Sequence, residues 1–310
     1  MGKTAFVFAG QGAQYPGMGE ELASTEAGSN LFKTLDEIRP GTSTLCFSGT
    51  PQELSRTVNT QPALFAAEMA AVSLLTEMGV RAQMAAGFSL GELSALAYAG
   101  AGSLTEMFRI VLKRGELMQL ASEKYPAKMA AVLKLDTQTV EELCNGFESV
   151  YPVNYNCPGQ ITVSAEADQM PAFSAAVKAA GGRVMPLQVG GGFHSPFMQE
   201  AADAFAAYLK TCTLVRPDVP VYANATSQPY TQDPAQMLPK QIVSPVRWEE
   251  SIRAMIEAGA DTFVEIGPGQ TLSGMIRRID KTVRVLHAQT AEEITRAAAV
   301  LRDLPREEPG

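Results

Sequence analysis

The chain's 310 residues, 46% hydrophobic and 19% charged, are enough to bury a full core in one large domain or two smaller ones. A formal net charge of -8 speaks against general nucleic-acid binding and gives no attraction to an anionic membrane surface. The four cysteines, Cys46, Cys144, Cys157 and Cys212, stand apart without a CxxC pair, so the sequence predicts no metal site and no disulfide framework, and fits a reducing cytoplasm.

Taken in order, Thr4 to Ala9 reads as a short buried strand. No signal-peptide pattern surrounds it, and no apolar run reaches membrane-spanning length. It ends in Gly10-Gln11-Gly12-Ala13-Gln14, where a dinucleotide fingerprint fails: Tyr15 stands where the third glycine belongs, and no phosphate-loop lysine follows. A glycine-lined strand end still places backbone N–H groups at the carboxyl edge of a sheet, where open α/β folds bind ligands. Glu20 to Ile38 reads as a helix with a loop around Glu26-Ala27-Gly28. Thr50 and Glu53 form a capping box at a helix start. Thr60-Gln61-Pro62-Ala63 opens another helix, with Pro62 in its first turn, running to Met78.

Met84-Ala85-Ala86 then reads as the end of a buried strand and Glu92 to Tyr98 as a helix. Between them lies Gly87-Phe88-Ser89-Leu90-Gly91, a Gly-x-Ser-x-Gly sequence in the strand-turn-helix context of a nucleophile elbow. Gly87 and Gly91 suit a turn that leaves no room for flanking side chains, and Ser89 falls at its tip. The Leu90 N–H sits at the start of the new helix, where free amides and the helix dipole favour an oxyanion. Leu104 to Glu123 is a long helix carrying Arg114, which from local sequence alone is a solvated charge.

Lys128 to Val189 has its own rhythm. Strands are predicted at Met129 to Leu135, Ser149 to Asn154, Gln160 to Ala165 and Arg183 to Val189, with helices at Asp136 to Asn145 and Asp168 to Ala180. That βαββαβ order is ferredoxin-like. It predicts an inserted subdomain over residues 127–192 within an α/β core formed by 1–126 and 193–310. Gly190-Gly191-Gly192 suggests a flexible return to the core, followed by Phe193 and His194, and Pro196 opens a helix to Leu209. Beyond it, Val219 to Ala223, Asp261 to Ile266 and Thr282 to His287 read as strands. Pro234 to Val243, Val246 to Ala258 and the stretch ending at Ile279 read as helices, and Arg302 to Gly310 as a polar tail. Strands alternating with helices on both sides of the insertion predict a mostly parallel sheet.

A nucleophilic Ser89 needs a base, and the sequence offers two histidines, His194 and His287. His287 follows the last predicted strand, the position of the base in an ordinary α/β-hydrolase, which would make the chain a lipase or esterase. Against that stand the missing HGGG loop and the helix-rich segment before Ser89. The choice of His194 rests on a resemblance. FVFAGQGAQ (Phe6 to Gln14), TQPAL (Thr60 to Leu64), GFSLGE (Gly87 to Glu92), NYNCPGQ (Asn154 to Gln160), FHSPFM (Phe193 to Met198) and EIGPGQTL (Glu265 to Leu272), in this order, resemble the malonyl-CoA:acyl-carrier-protein transacylases, the acyltransferase family of fatty acid and polyketide synthesis. That family has a ferredoxin-like insertion in a hydrolase-like core.

The resemblance implies a Ser89–His194 dyad whose imidazole is oriented by a backbone carbonyl near Gln241 rather than by an acid. It implies an oxyanion hole from the N–H groups of Gln11 and Leu90. It makes Arg114 the partner of a malonyl carboxylate, reversing the local reading, with Met118 one turn on walling the pocket. Phe193 matches a pattern associated with malonyl selectivity. Phe88 departs from the family, which usually has His before the nucleophile. The implied partners are malonyl-CoA and a holo acyl carrier protein; the implied state is a monomer without cofactor or metal. Lys240, Arg247, Arg277 and Arg278 are candidates for the basic face an acidic carrier protein needs. A discrete acyltransferase for a polyketide synthase and an acyl-thioester hydrolase are alternatives within the family. A non-catalytic carrier-docking protein is the alternative outside it.

Overall fold

The computed structural model describes residues 2–303. The apolar run behind the first strand is a central one: β1 (Lys3–Phe8) is buried from Ala5 onward on both faces. A 3-10 turn at Leu22–Ser24 leads to α1 (Glu26–Ile38), so the expected loop at Glu26 to Gly28 is instead the first turn of a helix. The Thr25 side chain caps it by accepting from the Gly28 N–H. Gly28 is required because a Cβ there would lie 2.0 Å from the Leu22 carbonyl oxygen. Two short helices follow, α2 (Thr42–Ser48), which the sequence reading missed, and α3 (Pro51–Ser55), which carries the expected Thr50–Glu53 capping box.

Helix α4 (Thr57–Glu77) begins a turn earlier than expected, so Pro62 lies inside it. The Thr60 hydroxyl does not cap the helix; it donates back to the Leu54 and Arg56 carbonyls. This helix is apolar on nearly every side and buried through most of its length. The elbow follows in β2 (Met84–Gly87) and α5 (Gly91–Tyr98), then α6 (Leu104–Lys124).

The insertion is β3 (Ala127–Leu133), α7 (Thr137–Asn145), β4 (Val150–Cys157), β5 (Gln160–Glu166), α8 (Met170–Ala179) and β6 (Arg183–Pro186). Its four-stranded sheet is antiparallel with order β4-β5-β3-β6, as a ferredoxin-like unit requires. The chain then returns through a 3-10 turn at Pro196–Met198 to α9 (Gln199–Leu209), β7 (Val221–Tyr222), α10 (Met237–Val243), α11 (Trp248–Glu257), β8 (Ala260–Ile266), α12 (Thr271–Ile279) and β9 (Arg284–Ala288). A final helix, α13 (Ala291–Asp303), was not anticipated; it holds Arg302 and Asp303 in its last turn, while the rest of the expected polar tail lies outside the described residues.

The main sheet has five strands in the order β7-β2-β1-β8-β9, every pairing parallel. The fold is α/β, with a hydrolase-like parallel sheet and a ferredoxin-like insertion. Phe8 pairs with Gly87 in register, so the loops leaving β1 and β2 emerge side by side at the carboxyl edge. They touch: a Cβ at Gly91 would lie 2.2 Å from the Phe8 carbonyl oxygen, and one at Gly10 2.6 Å from that of Phe88. No described helix is long and apolar enough to cross a membrane.

Candidate active site

Ser89 stands at the turn between β2 and α5 with φ of 54°, a left-handed conformation that costs a non-glycine residue about 1–3 kcal/mol. Asn224, just past β7, holds it there. The Ser89 N–H donates to Asn224 Oδ1 at 2.8 Å, and Asn224 Nδ2 donates to the Gly87 carbonyl at 2.6 Å. One amide thus clamps both sides of the elbow. Among the described residues, neither the Leu90 nor the Gln11 N–H donates to another protein group. Two adjacent loops therefore carry free amides beside the serine. The Gln11 side chain turns away and donates to Thr57 Oγ1 at 3.4 Å.

His194 is buried, also left-handed (φ 60°), and lies 2.7 Å from Ser89 Oγ through Nε2. Its Nδ1 lies 2.8 Å from the Gln241 backbone carbonyl. A carbonyl can only accept, so Nδ1 carries the proton and Nε2 is left to accept from the serine hydroxyl. Burial, then the charge of Arg114, push the imidazole down to about 4, against the opposing pull of the Gln241 and Ser244 backbone. The imidazole is neutral at pH 7. The other histidine, His287, lies on edge strand β9 and meets Ser273 Oγ at 3.1 Å, not Ser89.

Gly191 and Gly192, shortly before His194, serve close packing, while Gly190 is exposed and unconstrained by its neighbours. A Cβ at Gly191 would lie 1.9 Å from Ser122 Oγ. One at Gly192 would lie 2.5 Å from Phe197 and 2.8 Å from both Ala127 and Ser164.

Arg114 is fully buried. Its Nη1 donates to Gln61 Oε1 at 2.9 Å, and its Nη2 to Gln241 Oε1 at 2.9 Å and to Ser89 Oγ at 3.3 Å; Nε has no partner among the described residues. Burial lowers it to about 10, which leaves it charged at neutral pH, and Glu92 pulls the other way. The nearest balancing carboxylate is one step removed: Gln241 Nε2 donates to Glu92 Oε2 at 3.1 Å. Glu92 is itself buried and accepts from the Asn224 N–H and the Tyr230 hydroxyl; burial raises its pKa, while these hydrogen bonds and Arg114 oppose the rise. A buried guanidinium held by neutral amide oxygens, with an idle donor, is suited to receive a carboxylate.

Met118 is buried one turn from Arg114, its sulfur 3.4 Å from Gln61 Nε2. Phe193 is also buried, within the main core. Phe88 packs edge-on against Trp248 with ring centroids 5.5 Å apart. Of the basic candidates, Lys240 is exposed, Arg247 is paired with Glu250, and Arg278 bridges to Gln160 and the Pro158 carbonyl of the insertion. Arg277 is exposed and donates to the Val285 carbonyl. The sequence reading assigned no role to Gln61, Glu92, Asn224 or Tyr230. No cluster of three or more His, Cys, Asp or Glu side chains suited to a metal occurs among the described residues.

Residues 5–306 match the model of the acyl transferase domain. The chain belongs to the acyl transferase family. This acyl transferase is 38% identical to the malonyl CoA-acyl carrier protein transacylase of Bacillus subtilis (strain 168), the match covering 98% of each chain. Among solved structures, the malonyl CoA-acyl carrier protein transacylase of Clostridium perfringens superposes with a TM-score of 0.93 at 35% identity, over 97% of this chain and 98% of that one. A malonyl-transacylase in complex with its type II PKS acyl-carrier protein gives 0.92 at 32% identity, over 96% and 99%.

Proposed function

We propose that this acyl transferase moves a malonyl group from malonyl-CoA to the phosphopantetheine thiol of acyl carrier protein, through an ester on Ser89, and so supplies fatty acid synthesis. The observation that carries the reading is the meeting of three groups at one oxygen: Ser89 Oγ lies 2.7 Å from the neutral face of His194 and 3.3 Å from the Arg114 guanidinium. The relatives' names supply the donor and acceptor.

In the first half-reaction Ser89 Oγ attacks the thioester carbonyl carbon as its proton passes to His194 Nε2. The Gln11 and Leu90 amides receive the negative charge that forms on the carbonyl oxygen. The C–S bond then breaks, and the CoA sulfur takes the proton from His194. The carrier thiol repeats the sequence in reverse: it gives its proton to His194 and attacks the ester, the C–O bond to Ser89 breaks, and Ser89 Oγ takes the proton back from His194. Arg114 holds the free malonyl carboxylate throughout, replacing one or both glutamine oxygens, with Met118 and Phe193 walling the acyl pocket. We assign residues 127–192 to the inserted subdomain and 1–126 with 193–310 to the core. We place the protein in the cytoplasm on the strength of its unpaired cysteines.

Intact mass after mixing with malonyl-CoA, and again after adding holo carrier protein, tests the reading. A malonyl adduct absent from Ser89→Ala, slowed in His194→Ala and passed to the carrier is expected. An adduct lost to water without transfer marks a hydrolase. Dependence on His287 in place of His194 overturns the assignment.

A further inference from the structure

Arg114 has a second consequence that a substrate clamp does not require. The guanidinium and the imidazole share one hydroxyl, so the Arg114 Nη2 cation lies within about 6 Å of His194 Nε2, both groups being buried while Ser89 is half-buried between them. Arg114 is the charged side chain that acts on His194, with Glu92 and Tyr230 behind it. Helix α6 brings Arg114, α5 brings Glu92, and the loop after β7 brings Tyr230, which holds Glu92. Helix α10 brings the carbonyls of Gln241 and Ser244; its Lys240 is on the exposed face. On the insertion side Ser164 packs against Gly192, two residues before His194, and neither carries charge. Thus one cation faces the base, and its buried counter-charge, Glu92, is separated from it by the Gln241 amide.

We propose that the carboxylate of the incoming acyl group, by pairing with Arg114, strengthens His194 as a base, so that a dicarboxylic acyl donor switches on its own acylation while an acyl group lacking the carboxylate leaves the base weak. The inference rests on the reading of Arg114 as the carboxylate's partner. The physics is Coulombic. A unit cation about 6 Å from the imidazole, at an effective dielectric of about 20, weakens its protonation by roughly two pKa units. An anion seated on that cation cancels part of this, leaving an expected rise of about one unit. The proton balance is unchanged: His194 takes the Ser89 proton and returns it to the leaving thiol. Selectivity then has two sources, binding of the carboxylate and the base strength it sets.

The sequence makes the test direct, because the chain has two histidines and His287→Gln leaves one. In Ser89→Ala/His287→Gln protein carrying labelled histidine, the His194 imidazole is titrated by NMR alone, with malonyl-CoA and with acetyl-CoA. The midpoint is expected about one unit higher with malonyl-CoA than with acetyl-CoA. Adding Arg114→Gln should raise the free midpoint and abolish the difference; Arg114→Lys, which keeps the charge, should keep the free midpoint low. In the wild type, pH-jump quenched-flow acylation should show the acid limb for malonyl-CoA displaced upward by the same amount relative to acetyl-CoA. Binding of both donors with identical midpoints and acid limbs overturns the inference alone. Failure of malonyl-CoA to bind the Ser89→Ala protein by calorimetry overturns the functional reading, and the inference with it.

Discussion

Replacing Asn224 by Ala tests whether the elbow is held from outside. The side chain makes three hydrogen bonds: Oδ1 accepts from the Ser89 N–H at 2.8 Å and, more weakly, from Gln241 Nε2 at 3.5 Å, and Nδ2 donates to the Gly87 carbonyl at 2.6 Å. Each is worth about 1 kcal/mol net, and leaving its buried partner unsatisfied adds to the loss, so a fall in stability of roughly 2–4 kcal/mol is expected. For a chain of this size that is a drop in Tm of about 3–6 °C. The catalytic cost is separate. Ser89 stays left-handed only while its N–H is held, and relaxation of a conformation costing about 1–3 kcal/mol moves Oγ off His194. A loss of roughly 5- to 150-fold in the acylation rate follows, with a smaller change in the KM for malonyl-CoA because Asn224 reaches Arg114 only through its long contact with Gln241. Quenched-flow mass spectrometry of the malonyl-enzyme at 25 °C measures the rate, and a thermal melt the stability. Acylation within threefold of the wild-type rate would refute the clamp.

Arg114→Ala should cost malonyl transfer about a hundredfold or more, the scale of a buried, charge-assisted pair, while sparing part of any acetyl transfer; parallel assays with the two donors decide it, and equal loss of both sinks the carboxylate assignment. The acylation kcat/KM should be flat through neutral pH and fall only as pH drops through about 4, where His194 takes a proton and ceases to be a base. The same depressed pKa links to stability: the unfolded chain binds the proton near 6.5 and the native state near 4, so His194 contributes fully above pH 6.5 and loses roughly 3 kcal/mol as pH falls from there to 4. Denaturant melts across that window should show a smaller acid dependence in His194→Ala. Gly192→Ala drives a methyl into Phe197, Ala127 and Ser164 and should cost about 1–3 kcal/mol in a denaturant melt, with slower acylation as His194 shifts.

What the sequence revealed of this site depended on how local each cause was. The elbow was legible because its demands are local: two glycines flank a serine, and the carbonyls of Phe8 and Gly91 leave no room for anything larger at Gly91 and Gly87. Arg114 was not. Its helix is mixed in character, and the residues that bury it, Gln61 and Gln241, are 53 and 127 positions away. Asn224 was silent for the same reason, its partners being 135 and 137 positions distant. His194 stood out only because so few histidines compete, and the resemblance, not the spacing, chose it over His287. Two of the three glycines before it misled, since Gly191 and Gly192 read as freedom where Ser122 and Phe197 demand small residues. In the fold, the order of strands was readable and their ends were not. Helices α2 and α13 escaped because short or charged amphipathic stretches take their face from what they pack on.

The placement of β1 at the middle of the main sheet bears on how the protein is made. Its partner on one side, β8, spans Ala260–Ile266, so the strand synthesised second to none must wait for most of the chain before that edge is covered. The insertion's strands all lie between Ala127 and Pro186 and can pair with one another as soon as they leave the ribosome. The Gln11 and Leu90 amides precede the insertion in the chain and the Gln241 carbonyl follows it. A nascent chain that ends before Ala260 therefore carries Ser89, His194 and Gln241 while the β8 side of β1 is still uncovered, so the residues of the site exist before the sheet beneath them is complete.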